Sequence, residues 1–300
     1  MYPRFALIGL ALALASCGTR TPLIDAAILP DNEGGLPDAG WDSGPGFDAG
    51  PPVDAGPRID DVLIYAHSRD TLYTFSAYTN TVTEIGVFAF SDGTPAEFML
   101  DLAVDSEGVV FTSSDDGVLY RVDPMTAVVT AVGDFGLDTE KLFALSFLAP
   151  SESPDGTEML IGATNAGAYY EIDRTNGGAS FLGSYPEGWS SSGDIVSVAG
   201  LGTFATLRRS DFTSDVLARI IFSSDGTSTV TVIGATRSAT EDFRSLFGLG
   251  YWGRDLFGFT NSGQLLRIDR MTGTSEVVST TTGTSQFWGA GVTTIVPVLI

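Results

Sequence analysis

Few kinds of side chain in this sequence can do chemistry. The 300 residues hold 37 Asp and Glu, but one histidine, His67, and one cysteine, Cys17. A single cysteine excludes an intramolecular disulfide, a thiolate zinc cluster and a CxxC redox pair, and a single histidine excludes a multi-histidine metal centre. No Walker loop, Rossmann fingerprint, HExxH helix or GxSxG elbow is recognisable. Gly188-Trp-Ser-Ser-Ser-Gly193 has one residue too many for such an elbow and reads as a serine-rich loop. His67, in Tyr65-Ala-His-Ser-Arg69, follows a strand pattern and reads as a turn histidine, because no triad assembles around it. Carboxylates remain. Asp101 occupies the second place of Leu100-Asp-Leu-Ala103, where Ala144, Ser197, Gly248 and Gly289 stand in four similar tetrapeptides. Glu97, Asp194 and Asp242 lie at or near the entries to such segments. Paired carboxylates about 5–10 Å apart perform acid/base or nucleophilic work on glycosidic bonds, which makes Asp101 a speculative catalytic residue only, and no catalytic residue is assigned. Its first reading is that it bonds local backbone amides or a water in the channel.

The elements that would position these groups recur along 59–300. The first-strand motif appears at Leu100–Ala103, Phe143–Ser146, Val196–Ala199, Phe247–Gly250 and Trp288–Gly291, in steps of 43, 53, 51 and 41 residues. Propeller blades repeat every ~40–50 residues. A second strand follows each of the first four copies. Turns come next: Asp115-Asp-Gly117, Asn165-Ala-Gly167, the longer 210–215 and Asn261-Ser-Gly263. Third strands such as Leu119-Tyr-Arg-Val-Asp123, Tyr169-Tyr-Glu-Ile-Asp173 and Leu265-Leu-Arg-Ile-Asp269 alternate with period two, and a fourth strand closes each unit. The N-terminal part of this region supplies three strands, near 62–66, 72–75 and 82–88, and the C-terminus one, around 287–296. Joined, they complete a blade. The expectation is an all-β, five-bladed propeller of four-stranded antiparallel blades, closed between its terminal strands. Six blades follow instead if the connections near 89–97 or 184–193 hide strands.

Within this frame, Tyr185 and Trp189 sit in a long fourth-to-first-strand connection, and Asp242 and Arg244 in the equivalent connection of the next blade. These four are the candidates for a ligand face: an aromatic ledge beside an acid and an arginine. Phe143, Phe247 and Trp252 are expected to pack between blades. Aspartates in Asp92-Gly, Asp116-Gly, Asp155-Gly and Asp225-Gly are turn residues first, with calcium as the alternative. No metal site is assigned.

The N-terminal sixty residues differ in kind. Met1–Arg4 carry one positive charge, and 5–15 form an apolar run of eleven, too short for a span of about 20 residues and suited to a signal peptide. Leu14-Ala15-Ser16-Cys17 then resembles the lipobox of bacterial lipoproteins, which implies removal of 1–16 and lipidation of Cys17. Gly18 follows; in lipoproteins of the enteric type a residue other than Asp there implies the outer membrane. Residues 17–58 repeat Asp-Ala-Gly at 38–40, 48–50 and 54–56 among prolines and read as a disordered tether. About 40 such residues hold a domain roughly 35 Å from its anchor. The net charge of −22 argues against nucleic acid as a partner.

Leu119-Tyr-Arg-Val-Asp-Pro-Met-Thr126 and Leu265-Leu-Arg-Ile-Asp-Arg-Met-Thr-Gly273 resemble the repeats of WD-like, YVTN-type and quinoprotein-like bacterial surface propellers. The resemblance implies the fold. Residues for docking a quinone are not recognisable, so no cofactor is expected. The functional expectation is an envelope lipoprotein whose propeller binds protein, peptide or glycan without catalysis; a carboxylate-dependent glycoside hydrolase or lyase at the cell surface is the alternative.

Overall fold

The computed structural model describes residues 62–96 and 98–299. Cys17, the expected signal peptide and tether, and Glu97 lie outside the described residues. Within them the chain forms five sheets of four antiparallel strands and no α-helix. Blade one joins β1 (Ile64–His67), β2 (Thr71–Ser76) and β3 (Thr81–Val87) to the last strand of the chain, β20 (Gly289–Gly291). Blade two is β4 (Met99–Val104), β5 (Val110–Ser114), β6 (Val118–Val122) and β7 (Val129–Asp134). Blade three is β8 (Ala144–Leu148), β9 (Met159–Ala163), β10 (Ala168–Ile172) and β11 (Ala179–Ser184). Blade four is β12 (Ser190–Val198), β13 (Gly202–Arg208), β14 (Val216–Phe222) and β15 (Ser228–Ala235). Blade five is β16 (Leu246–Trp252), β17 (Asp255–Thr260), β18 (Leu265–Ile268) and β19 (Ser275–Ser279). The five-bladed reading holds. The described part of segment 89–97 adds only isolated bridges, of Ala89 with Pro95 and with Val128, and 184–193 runs into the inner strand β12, so neither supplies a sixth blade.

Burial explains why the strand patterns differ along each unit. First and second strands such as β4, β5, β8 and β9 are buried at every residue, because neighbouring blades cover both faces. Fourth strands face solvent and alternate or stay open. The apolar core is accordingly split into clusters lying between blades. One of them joins Phe75 of blade one to Phe257 and Phe259 of blade five, with ring centroids 5.1 and 6.1 Å away. Phe287 caps it, 5.1 Å from Phe259 and 6.1 Å from Tyr73.

A glycine near the end of the fourth strand sets how closely adjacent blades approach. Gly133, Gly183 and Gly234 each lie against a carbonyl in the next blade's third-to-fourth-strand turn, where a Cβ would sit 1.8, 2.1 and 2.0 Å from the oxygens of Asn176, Gly226 and Thr272. Each pairs opposite a bulge in its own sheet. Gly133→Ala therefore forces two blades apart and is expected to lower stability by about 2–3 kcal/mol. Urea unfolding checks this, and a wild-type midpoint would contradict it.

The second-to-third-strand turns and the connections between blades share one end of the ring, here the top. The described chain enters at Val62 on the opposite end. The C-terminal segment reaches that bottom end: Thr294 accepts the Ala199 amide at 2.8 Å through its carbonyl and donates its hydroxyl to Glu158, and the Leu299 amide donates to Gly253 at 3.1 Å. Glu158 also accepts the Ser106 amide and hydroxyl, each at 2.9 Å. The C-terminal segment thus lies across the bottom of the ring.

Candidate functional site at the axial mouth

Registers identify which residues ring the axis. Leu102 pairs with Thr112 and Thr112 with Tyr120; the same positions in the next blades carry Leu145, Gly162 and Tyr170, then Ile195, Ala205 and Ala218, then Leu249, Gly258 and Leu266. One residue earlier stand Asp101, Ala144, Asp194, Gly248 and, from β20, Gly289. The fourth blade's motif is therefore Gly193-Asp-Ile-Val196, three residues before the expected Val196–Ala199, and Asp194 replaces Ser197 as the counterpart of Asp101. The cause is a bulge in β12 between Ser191 and Ile195. It hid a second axial carboxylate.

Both aspartates are completely buried. Asp101 accepts the amide of Leu102 at 2.8 Å and, across to blade three, that of Leu145 at 2.6 Å. Asp194 accepts the amides of Ile195 and, across to blade five, Leu249, and also bonds Ala290 of β20. The two carboxyl groups hydrogen-bond each other. One pair of side chains thus ties together all five inner strands. Burial, and for Asp101 also the neighbouring Asp194 charge, push both carboxyls well above the ordinary range, so the pair keeps a proton where exposed aspartates have lost theirs. Gly289 is required beside it: a Cβ there would lie 2.2 Å from an Asp101 oxygen and 2.4 Å from His67 Nε2.

His67 is not in a turn. It ends β1, is fully buried, bonds the Ser68 carbonyl through Nδ1 at 2.6 Å, and meets Phe88 edge-on at 5.9 Å. That bond places the proton on Nδ1, and Nε2 has no partner. Burial lowers its pKa to about 4. The ordinary value applies to the unfolded chain, so stability from a neutral His67 is present above about 6.5 and is lost as pH falls toward 4. The carboxyl pair acts in the opposite sense, losing its contribution as pH rises through its own titration. His67→Gln is expected to shrink the stability lost between pH 7 and 4.5 by about 2–3 kcal/mol relative to the parent protein. Equal losses in urea titrations of the two proteins would contradict this.

Directly above the ring the residues preceding its five members converge: Leu100, Phe143, Gly193, Phe247 and Trp288 line a cavity of about 170 Å³, with Asn165, Ser191, Ser192 and Arg208. Bulges at Leu100 in β4 and Phe247 in β16 turn these side chains onto the axis, as bulges commonly re-aim a residue. Phe143 and Phe247 are accordingly half-buried at the mouth rather than sealed between blades. Trp288 stacks beside Phe247 at 5.4 Å and meets Phe98 edge-on at 4.5 Å. The expected serine-rich loop is instead the bulged start of β12, with Ser191 and Ser192 buried. Arg208 is held by Asp215 at 3.2 Å and donates to Ser192 at 3.2 Å, while buried Asp215 also accepts the Leu246 amide at 3.2 Å. Two polar groups at this mouth have no partner: the Ser191 hydroxyl and the Trp288 indole N–H.

The four ligand-face candidates gather around the 209–215 loop rather than at the mouth. Tyr185 and Trp189 are buried, 6% and 8% exposed, in the cluster between blades three and four. Tyr185 packs on Tyr169 at 5.6 Å, and Arg209 lies over the Trp189 ring at 4.3 Å, so no open aromatic ledge exists there. Asp242 and Arg244 are exposed and hold Thr213, the first accepting its hydroxyl at 3.0 Å, the second donating to its carbonyl. The turn aspartates behave as Asx turns: Asp92, Asp155 and Asp225 accept amides two residues on at 2.8–3.0 Å, and bonds from these amides and from the side chains of the same threonines, the Thr227 hydroxyl foremost for Asp225, hold their carboxyls below the ordinary range. A larger groove of about 440 Å³ lies between blades five and one at the bottom, beside Trp252, Arg267 and Glu276. It holds none of the unpartnered polar atoms found among the described residues.

No family model matches the chain, and no curated protein matches it. Among solved structures it is similar to U3-55K, at 10% identity over 72% of this chain and 60% of that one, with a TM-score of 0.39. It is similar to the WD40 β-propeller domain of Doa1 at 13% identity over 78% and 83% of the two chains, TM-score 0.44. With BamB from Moraxella catarrhalis the identity is 14% over 71% and 62%, TM-score 0.36. The chain thus spans less than two thirds of U3-55K and of BamB. The five-bladed architecture rests on the strand pairings, not on these likenesses.

Proposed function

We propose that this propeller is a non-catalytic binding module of the bacterial envelope, anchored through lipid on Cys17 and engaging protein, peptide or glycan at the axial mouth. The observation that carries the reading is the contrast between the two polar systems on the axis. Below, the carboxylates suited to catalysis are in contact with each other, closed off from solvent and occupied by backbone amides. A glycosidase needs its two carboxyls about 5–10 Å apart with the sugar between them, and this pair leaves no such gap. Above, the mouth keeps unpartnered polar groups beside aromatic walls, which is the composition of a binding pocket.

The chain joins the domain at Val62 on the bottom, so an anchor on the tether leaves the mouth free of the attachment point. Two outcomes test the proposal. A photo-crosslinking residue at Asn165, on the mouth's rim, is expected to capture envelope components, while the same residue at Asp155, in a bottom turn, is not. Equal capture from both positions would count against the mouth. Cys17→Ala is expected to release the protein from membranes, through loss of acyl chains worth about 0.8 kcal/mol per buried CH₂. Retention after a high-salt wash would rule out the lipid anchor, and fractionation of the parent protein with the inner membrane would rule out the outer.

A further inference from the structure

We propose that the axial mouth receives a peptide, taking in one uncharged side chain whose neighbouring amide carbonyl is bound by the Trp288 indole N–H and the Ser191 hydroxyl. This rests on the reading of the mouth as the binding site and names its ligand. Size is the first argument. About 170 Å³ is below the roughly 300–1,000 Å³ of pockets that enclose free small molecules, and suits one side chain protruding from a larger partner.

Polarity is the second. Trp288 can only donate, and Ser191, about nine-tenths buried and lining the same cavity, likewise has a hydroxyl without a partner. A buried donor without a partner carries a desolvation cost that a carbonyl removes on binding. A pyranose fits less well: its many hydroxyls are best met by charged acceptors, and the mouth offers only the neutral oxygens of Asn165, Ser191 and Ser192. Charge is the third argument. The Arg208 guanidinium is already neutralised by Asp215 and bonded to Ser192, so it offers no free cation to an acid. The axial carboxyl pair below and the chain's net −22 further disfavour an anion. A cation would meet donors. The walls of Leu100, Phe143 and Phe247 are apolar, which leaves an uncharged side chain as the matching guest.

The test titrates the full-length protein in detergent with a positional-scanning library of N-acetylated, C-amidated heptapeptides, beside chitotriose and cellotriose. Large uncharged side chains are expected to be selected at one position, with Asp, Glu, Lys or Arg there weakening binding at least tenfold. Trp288→Phe and Ser191→Ala are each expected to weaken the selected peptides about 3- to 10-fold. Ser191→Ala removes one hydroxyl and keeps the test valid should the indole be needed for folding. Asn165→Trp, which covers the mouth from an exposed turn, is expected to abolish binding. Selection of a charged residue, wild-type affinity in both point variants, or no peptide binding would overturn the proposal. Trisaccharide binding lost in Asn165→Trp would overturn the peptide assignment and leave the mouth as the site. Binding unaffected by Asn165→Trp would overturn both.

Discussion

Asp101→Ala is expected to destabilise the propeller by about 3–5 kcal/mol, the cost of leaving two buried backbone amides, those of Leu102 and Leu145, without their acceptor. Without the Asp101 carboxyl, the amides of Leu102 and Leu145 lose their acceptor and Asp194 is left buried without the hydrogen bond that offsets its charge. Asp101→Asn keeps the shape and a donor toward Asp194. Its NH₂ cannot accept an amide, so one backbone N–H is orphaned, at about 1–3 kcal/mol. The order alanine worse than asparagine worse than aspartate is the signature of a structural pair. In a domain of this size 3–5 kcal/mol lowers Tm by roughly 6–20 °C, readable by calorimetry or urea unfolding. A stable Asp101→Ala protein would mean that the five inner strands do not depend on this pair.

Removal of residues 285–300 is expected to abolish the folded domain. The deletion takes β20, the inner strand of blade one, which pairs with β1 at three positions from Tyr65 to His67. It also takes Phe287, Val292 and Val296, all buried, and Thr294 at the bottom of the ring. At about 1.5–3 kcal/mol per buried side chain the apolar loss alone is roughly 5–9 kcal/mol. That is comparable to the whole stability of a typical domain, about 5–15 kcal/mol. The deletion further leaves β1 and β16 without their neighbour in the ring, exposing backbone edges that invite aggregation. Expression of the truncated chain, followed by size-exclusion chromatography and circular dichroism, decides the matter. A monomeric, cooperatively melting product would contradict closure between the termini.

Blade architecture was legible because each unit repeats its own turns. Asn165-Ala-Gly167 and Asn261-Ser-Gly263 mark hairpins by backbone chemistry that needs no tertiary context. Closure by a terminal strand followed from counting three strands at one end and one at the other. The axial site was only half legible. Asp101 stood out as an acid among small residues, but Asp194 lay behind a bulge whose extra residues shifted the apparent motif onto Val196–Ala199. A bulge is a register choice made against the partner strand, and no local residue pattern announces it. Tyr185 and Trp189 misled for a related reason: aromatics beside Pro186 and Gly188 look like a loop display, whereas the Trp189 ring is covered by Arg209 and Phe212 from a distant turn and Tyr185 packs on Tyr169. Ser191 and Arg208 come together through the bulged pairing of β12 with β13, and Trp288 joins them only when the ring closes. The one available signal was the bulky first place of each motif, which Leu100, Phe143, Phe247 and Trp288 hold around the mouth.

Carboxyl ¹³C NMR titration of Asp101 and Asp194 tests most directly whether the acids on the axis serve the fold or chemistry. The structure predicts that the pair keeps a proton at pH values where exposed aspartates have lost theirs, so that neither carboxyl titrates in the ordinary range near 4. Two carboxyls ionising independently near 4, as solvent-exposed groups do, would contradict the account and return the axis to catalysis.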